Sequence, residues 1–110
     1  MEFKLIKKDY QSEYYEAKYN WKHITLTFTV SMRYHTILKF WTSRAYVTGL
    51  YFSTDIPGMI EDVDNRKHAR SIAMEWIKEL ENHTEKYINS IDEFHQKSLL
   101  EDYNKKYSFK

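Results

Sequence analysis

Between Lys22 and Met32 the chain reads KHITLTFTVSM, with Ile24, Leu26, Phe28, Val30 and Met32 alternating strictly with His23, Thr25, Thr27, Thr29 and Ser31. Successive strand side chains point to opposite faces, so this period of two sets one apolar row against one hydroxyl-rich row. The β-branched Ile, Val and Thr reinforce the strand, because branching at Cβ fits an extended backbone. The segment therefore predicts a central strand whose apolar side a second layer must cover.

The flanking residues extend a sheet. In Phe3 to Lys8 one row (Phe3, Leu5, Lys7) alternates with the other (Lys4, Ile6, Lys8), and lysines on both faces suggest an edge strand protected from pairing with another molecule. Asp9 to Ser12 reads as a turn. Glu13 to Trp21 reads as a strand with Tyr15, Ala17, Tyr19 and Trp21 on one face, a short helix being the alternative. Beyond Met32, the segments His35 to Thr42 and Ala45 to Ser53 read as two more strands joined at Ser43 and Arg44. The Asp55-Ile56-Pro57-Gly58 stretch has the residues of a type II turn and is expected to end the sheet.

From Asn65 the period changes. Ile72, Ala73, Trp76, Ile77 and Leu80 recur at helical spacing, with Asp62 or Asp64 available as N-cap. Apolar spacing continues to Leu99, but one helix from 65 to 104 would run ~60 Å, too long for a domain of this size. Ser90-Ile91-Asp92-Glu93 has the form of a capping box, which places a break near Asn89. The expected fold is a single α+β domain over residues 1–110. Its antiparallel sheet of four to five strands (about 2–53) is followed by a turn (55–58) and covered on one face by a long helix (about 65–88) and a shorter one (about 91–104).

Composition narrows the function classes. The chain has no cysteine, which removes disulfides, thiolate metal sites and a cysteine nucleophile together. MEFKLIKKDY lacks the apolar run of a signal peptide, and no window approaches the ~20 apolar residues of a membrane span, so a cytoplasmic protein is expected. The formal charge of +1 supplies no global field for nucleic acid. Phe, Tyr, Met, Ile, Asn and Lys make up 47 of the 110 residues against 11 for Gly, Ala, Arg and Pro, the signature of an AT-rich coding sequence.

Catalytic patterns are sparse. The five histidines show no metal-binding helix spacing, and two glycines far apart cannot build a phosphate loop. Glu61-Asp62-Val63-Asp64-Asn65 lacks the glycine and terminal glutamate of a calcium loop and suits a helix N-terminus better. Glu79 with His83, and Asp92 with His95, are the carboxylate–imidazole pairs that helical spacing brings together. A small enzyme using one of them is the second alternative for function. No cofactor and no metal site follow from the sequence.

The remaining signal is aromatic. If the apolar row of the central strand faces the helices, the opposite face presents hydroxyls, and Tyr14 or Tyr15, Trp41, Tyr46 and Tyr51 are candidates to join them, with Arg33, Lys39 and Arg44 near strand ends. Rings with nearby arginines are what protein interfaces enrich. They are also what single-stranded nucleic-acid binders stack bases on, which makes such a binder the first alternative. Arg66, Lys67 and Arg70 form a basic cluster for contact with phosphate or an acidic partner. The expectation is a non-catalytic protein-binding module, by composition and analogy a phage or mobile-element accessory protein that inhibits a host defence nuclease by stoichiometric, anti-CRISPR-like binding. A protein partner is expected and a membrane is not; an uncovered aromatic face also suits a homodimer.

Overall fold

A computed structural model of the chain describes residues 1–21, 24–49 and 53–90. Five strands, β1 (Lys4–Lys8), β2 (Ser12–Trp21), β3 (Ile24–His35), β4 (Phe40–Thr48) and β5 (Ser53–Val63), precede α1 (Arg66–Asn82) and α2 (Thr84–Ser90). The strands pair in chain order, each antiparallel to the next. The architecture is α+β, an antiparallel sheet packed against a long and a short helix, as the alternation in β3 and the later helical period require. No helix among the described residues is long and apolar enough to cross a membrane. The expectations on His23, Tyr51, Asp92, His95 and a helix at 91–104 lie outside the described residues.

The β3 register decides what is buried. Leu26, Phe28, Val30 and Met32 are sealed under the helices. Cross-strand partners share a face, so Ala17 joins Phe28 from β2, while Val47 and Ala45 join Phe28 and Val30 from β4. Ala69, Ala73 and Leu80 of α1 meet this layer on one helical stripe, with Ile88 of α2 extending it. The two small alanines let the helix lie close to β4, where the buried Ser43 Oγ donates to the Ala69 carbonyl at 2.9 Å. Each of the larger buried side chains contributes roughly 1.5–3 kcal/mol before entropy is subtracted.

Three boundaries differ from the sequence expectation. The two strands expected at 35–42 and 45–53 are one strand, β4, entered through a turn at residues 36–39. Ser43 and Arg44 carry no turn, because both pair within the ladder, opposite Met32 and Ser31. The sheet does not end before Asp55. β5 continues to Val63, and Ile56 to Met59 forms a bulge opposite the Arg44–Tyr46 stretch of β4. Gly58 there has the positive φ of 79° that the turn residues implied, while Ile56 and Met59 are tucked into the core. The first helix stops at Asn82, not near Asn89. The His83 N–H bonds the Glu79 carbonyl and the Thr84 hydroxyl bonds the Leu80 carbonyl, satisfying groups that end a helix. The N-cap is Asn65, whose Oδ1 accepts from the His68 N–H at 2.8 Å, in place of Asp62 or Asp64.

Lys39, with φ at 57°, is the one non-glycine residue among those described that occupies the left-handed region. Two substitutions test these backbone readings with opposite signs. Gly58→Ala is expected to cost ~1–2 kcal/mol through conformation alone, since an added Cβ would meet nothing within 4 Å. Lys39→Gly is expected to gain up to ~1 kcal/mol. Urea denaturation midpoints of the two variants measure both.

Candidate functional site

The helices cover one side of the sheet, and the other side is built from the residues between the buried ones. Counting out from β3, the uncovered face carries Thr27, Thr29, Ser31, Arg33 and His35. Their partners are Lys18, Glu16 and Tyr14 on β2 and Thr48, Tyr46, Arg44, Thr42 and Phe40 on β4. Thr29 and Ser31 are buried although no helix lies on them. Each sits between larger cross-strand neighbours, Glu16 and Tyr46 for one, Tyr14 and Arg44 for the other. Ser31 lies at the bottom of a cleft, and the larger side chains around it form walls.

The resulting cleft has a volume of about 430 Å³ and is lined by Tyr14 from β2, by Ser31, Arg33 and His35 from β3, by Phe40, Thr42, Arg44 and Tyr46 from β4, and by Asp55, Ile60 and Asp62 from β5. That is the size range of small-ligand and side-chain pockets. Five of its polar side chains bond one another. Arg44 Nε donates to Asp55 Oδ1 at 2.6 Å, and the guanidinium lies 5.0 Å from the centre of the Tyr46 ring. The His35 ring stacks obliquely on Phe40, with centroids 4.7 Å apart. Its Nε2 is 2.9 Å from Thr42 Oγ1, which in turn donates to Asp62 Oδ1 at 2.7 Å. A carboxylate only accepts, so the Thr42 proton points at Asp62 and His35 Nε2 carries the hydrogen shared with Thr42. Arg33 is exposed and has no hydrogen bond or ion pair among the described residues.

The structure therefore brings together Arg33, Arg44 and Tyr46 of the expected surface, with Lys39 in the exposed turn that closes one end of the hairpin. Two other expected residues lie on the opposite side. Trp41 pairs with Tyr34 and packs with Met32, Val63, Ala69 and Ile72, because β4 runs through Ser43 and so fixes Trp41 in the inward row. Tyr15 pairs with Val30, and its hydroxyl donates to Glu13 Oε1 at 2.8 Å on the helix side. Tyr51 lies outside the described residues. The residues that sequence reasoning passed over in the cleft are His35, Phe40, Thr42, Asp55, Ile60 and Asp62. Asp55, Ile60 and Asp62 lie beyond the point where the sequence was expected to leave the sheet, and only the pairing register shows that they converge with His35, Phe40 and Thr42.

The basic cluster on α1 also has a different role. Arg66 and Arg70 both reach Glu13, a fully buried carboxylate in the inward row of β2. Arg66 Nη2 lies 3.0 Å and Arg70 Nη2 2.6 Å from Oε2. Arg66 also donates to the Asp9 carbonyl at 2.7 Å and lies over the Trp41 ring at 5.3 Å. Both arginines are thus held by an acid of the chain itself, while Lys67 alone of the three is exposed without such a partner among the described residues. The expected pairing of Glu79 with His83 is likewise replaced, since His83 sits at the helix break and Glu79 accepts from the Tyr87 hydroxyl at 2.8 Å. Among the described residues no three His, Asp or Glu side chains gather as a metal ion would need.

The chain matches no protein-family model, no curated protein and no solved structure.

Burial alone pushes the Glu13 carboxyl up, but hydrogen bonds from Arg70, Tyr15 and Arg66 outweigh it and bring it from 4.5 down to about 2. The folded state then favours the ionised form. The stabilisation is fully present above pH 4.5 and is lost as the pH falls toward 2, with an upper bound of ~3 kcal/mol. Glu13→Gln is expected to lower stability at neutral pH by a similar amount and to flatten the pH dependence over that window. Thermal melts of both proteins from pH 7 to pH 2.5 measure this.

Proposed function

We propose that this chain is a non-catalytic protein-binding module that docks its partner on the uncovered face of the sheet. One observation carries the reading. A helix-free face gathers Tyr14, Phe40 and Tyr46 around a cleft in which Arg33 has no acidic partner among the described residues. Rigid rings and arginine at a concave site are the anchors that protein interfaces favour, since they bury large areas at low entropic cost.

The charge arrangement supports a protein over a nucleic acid. Of the cations on this face, Lys18 lies 3.4 Å from Glu16 and Arg44 lies against Asp55, while Asp55 and Asp62 line the cleft itself. A polyanion would have to displace or approach these carboxylates. The polarity of the hydrogen-bond chain supports binding over catalysis. In a nucleophilic triad the imidazole accepts the hydroxyl proton and a carboxylate orients the imidazole. Here the carboxylate takes the Thr42 proton and His35 donates to Thr42, so no base is directed at that hydroxyl. Within the binding class, the AT-rich composition favours a small phage or mobile-element protein that inhibits a host defence nuclease by stoichiometric, anti-CRISPR-like association.

Capture from nuclease-treated host lysate tests the reading through variants of the face. Tyr46→Ala and Arg33→Glu are each expected to reduce recovery of a stoichiometric protein partner by about tenfold or more, as anchor residues do. Lys67→Ala, on the exposed side of α1, is expected to leave it unchanged. Equal recovery by all three variants, or recovery that disappears on nuclease treatment, overturns the proposal.

A further inference from the structure

We infer that the cleft is a receptor for one carboxylate carried beside a flat apolar group, an aspartate or glutamate next to an aromatic side chain of the partner protein, with Arg33 as the group that binds the anion. This deepens the docking reading above and rests on it.

The arginines of the chain make the first step. There are four. Arg66 and Arg70 are bound to Glu13, and Arg44 is bound to Asp55. Arg33 differs from the rest in having neither an acid nor another acceptor among the described residues. It stands where three hollows meet, the main cleft and two neighbours of about 290 and 300 Å³. A planar guanidinium held on a strand presents paired donors that match a carboxylate edge to edge. Tyr14 and Tyr46 stand in the same cleft with hydroxyls that have no hydrogen bond among the described residues, which supplies further donors.

The other cleft residues fix the charge and shape of the occupant. Asp55 and Asp62 line the same space, so a second negative charge on the ligand would face two carboxylates. That selects a monoanion over a phosphate. Phe40, Tyr46 and Ile60 offer flat apolar walls for a ring attached to the carboxylate. The volume of about 430 Å³ admits one such pair of side chains and little more. A protein source fits because the cleft opens on a broad sheet face whose flanks, from Lys18 to Tyr46, continue the contact beyond the pocket.

The capped dipeptide acetyl-Phe-Glu-amide is the probe, titrated into the uniformly labelled chain and followed by amide chemical shifts. Saturable shifts centred on Arg33, Thr42 and Tyr46 are expected, weakened about tenfold or more by Arg33→Gln and partly restored by Arg33→Lys. Acetyl-Phe-Gln-amide is expected to bind about tenfold more weakly than the glutamate peptide. Equal binding of the two peptides, or an unchanged affinity in Arg33→Gln, overturns the carboxylate site. Tighter binding of inorganic phosphate overturns the single charge, and tighter binding of free phenylacetate overturns the protein source. The two readings fail separately. If Tyr46→Ala abolishes capture of a partner while the dipeptides ignore Arg33, the docking face stands and this pocket falls; if the dipeptide binds through Arg33 and capture ignores the face, the docking reading falls.

Discussion

Everything in this fold depends on the one-sided burial of β3. Four side chains, Leu26, Phe28, Val30 and Met32, are fully removed from water on one side of a single strand, and the pleat forces every residue between them to the other side. A slip of one residue would exchange the two sets, placing threonines against α1 and Phe28 in solvent. The register is therefore held by hydrophobic burial, and it propagates outward. Once Ala17 and Val47 face Phe28, the remaining residues of β2 and β4 have no choice of side. The cleft is a by-product of that constraint, since Arg33, Thr42 and Tyr46 are outward because their neighbours are inward.

The helix must also be located along the sheet, and a different interaction does this. An α-helix starting with Arg66 and Lys67 has cations at the end where the macrodipole is positive, and no acid in its first turn. Glu13 supplies the missing negative charge from β2. Its carboxylate is buried, so its desolvation is offset only if both arginines and Tyr15 keep their hydrogen bonds. That requirement ties the start of α1 to one position on the sheet in a way that apolar contacts, which tolerate sliding, do not. Ser43 to the Ala69 carbonyl adds a second polar tie two strands further on, and Phe3 N–H to Glu81 at 2.9 Å secures the far end of the helix to the chain's first residues.

Much of this was legible in the sequence, and the misreadings have physical causes. The alternations in Lys22 to Met32 and Glu13 to Trp21 and the helical stripe through Ile72, Ala73 and Leu80 sufficed for the layers, because a period reports directly on which side is buried. Trp41 was misplaced because Ser43-Arg44 resembles a turn locally, and only pairing with Met32 and Ser31 shows it to be strand. Pro57-Gly58 was read as a turn ending the sheet, whereas these residues form a bulge within β5, which uses a positive φ at glycine without leaving the sheet. That the acid met by the α1 arginines belongs to the chain itself was not legible, because Glu13 lies more than fifty residues earlier. Glu13 did leave a trace. It occupies the inward row that Tyr15, Ala17 and Tyr19 define, and a carboxylate there needs cations from somewhere.

The sheet's edges explain why binding would use the face. β1 presents Lys4, Lys7 and Lys8 on an exposed strand, and its pairing with β2 is already interrupted between Leu5 and Lys7. Strand addition at that edge would have to desolvate lysines, the device that natural sheets use against it. At the other edge, β5 is broken by its bulge, where Pro57 has no N–H to donate and Gly58 turns the backbone away from the ladder. Both edges are thus poor templates for backbone pairing. The uncovered face differs in kind, because its backbone is satisfied by neighbouring strands and only its side chains are free to choose a partner. Specificity at such a face must come from side-chain chemistry, and in the described cleft the Arg33 guanidinium, set among rings and carboxylates, is the charged group that the described residues leave without an ion pair.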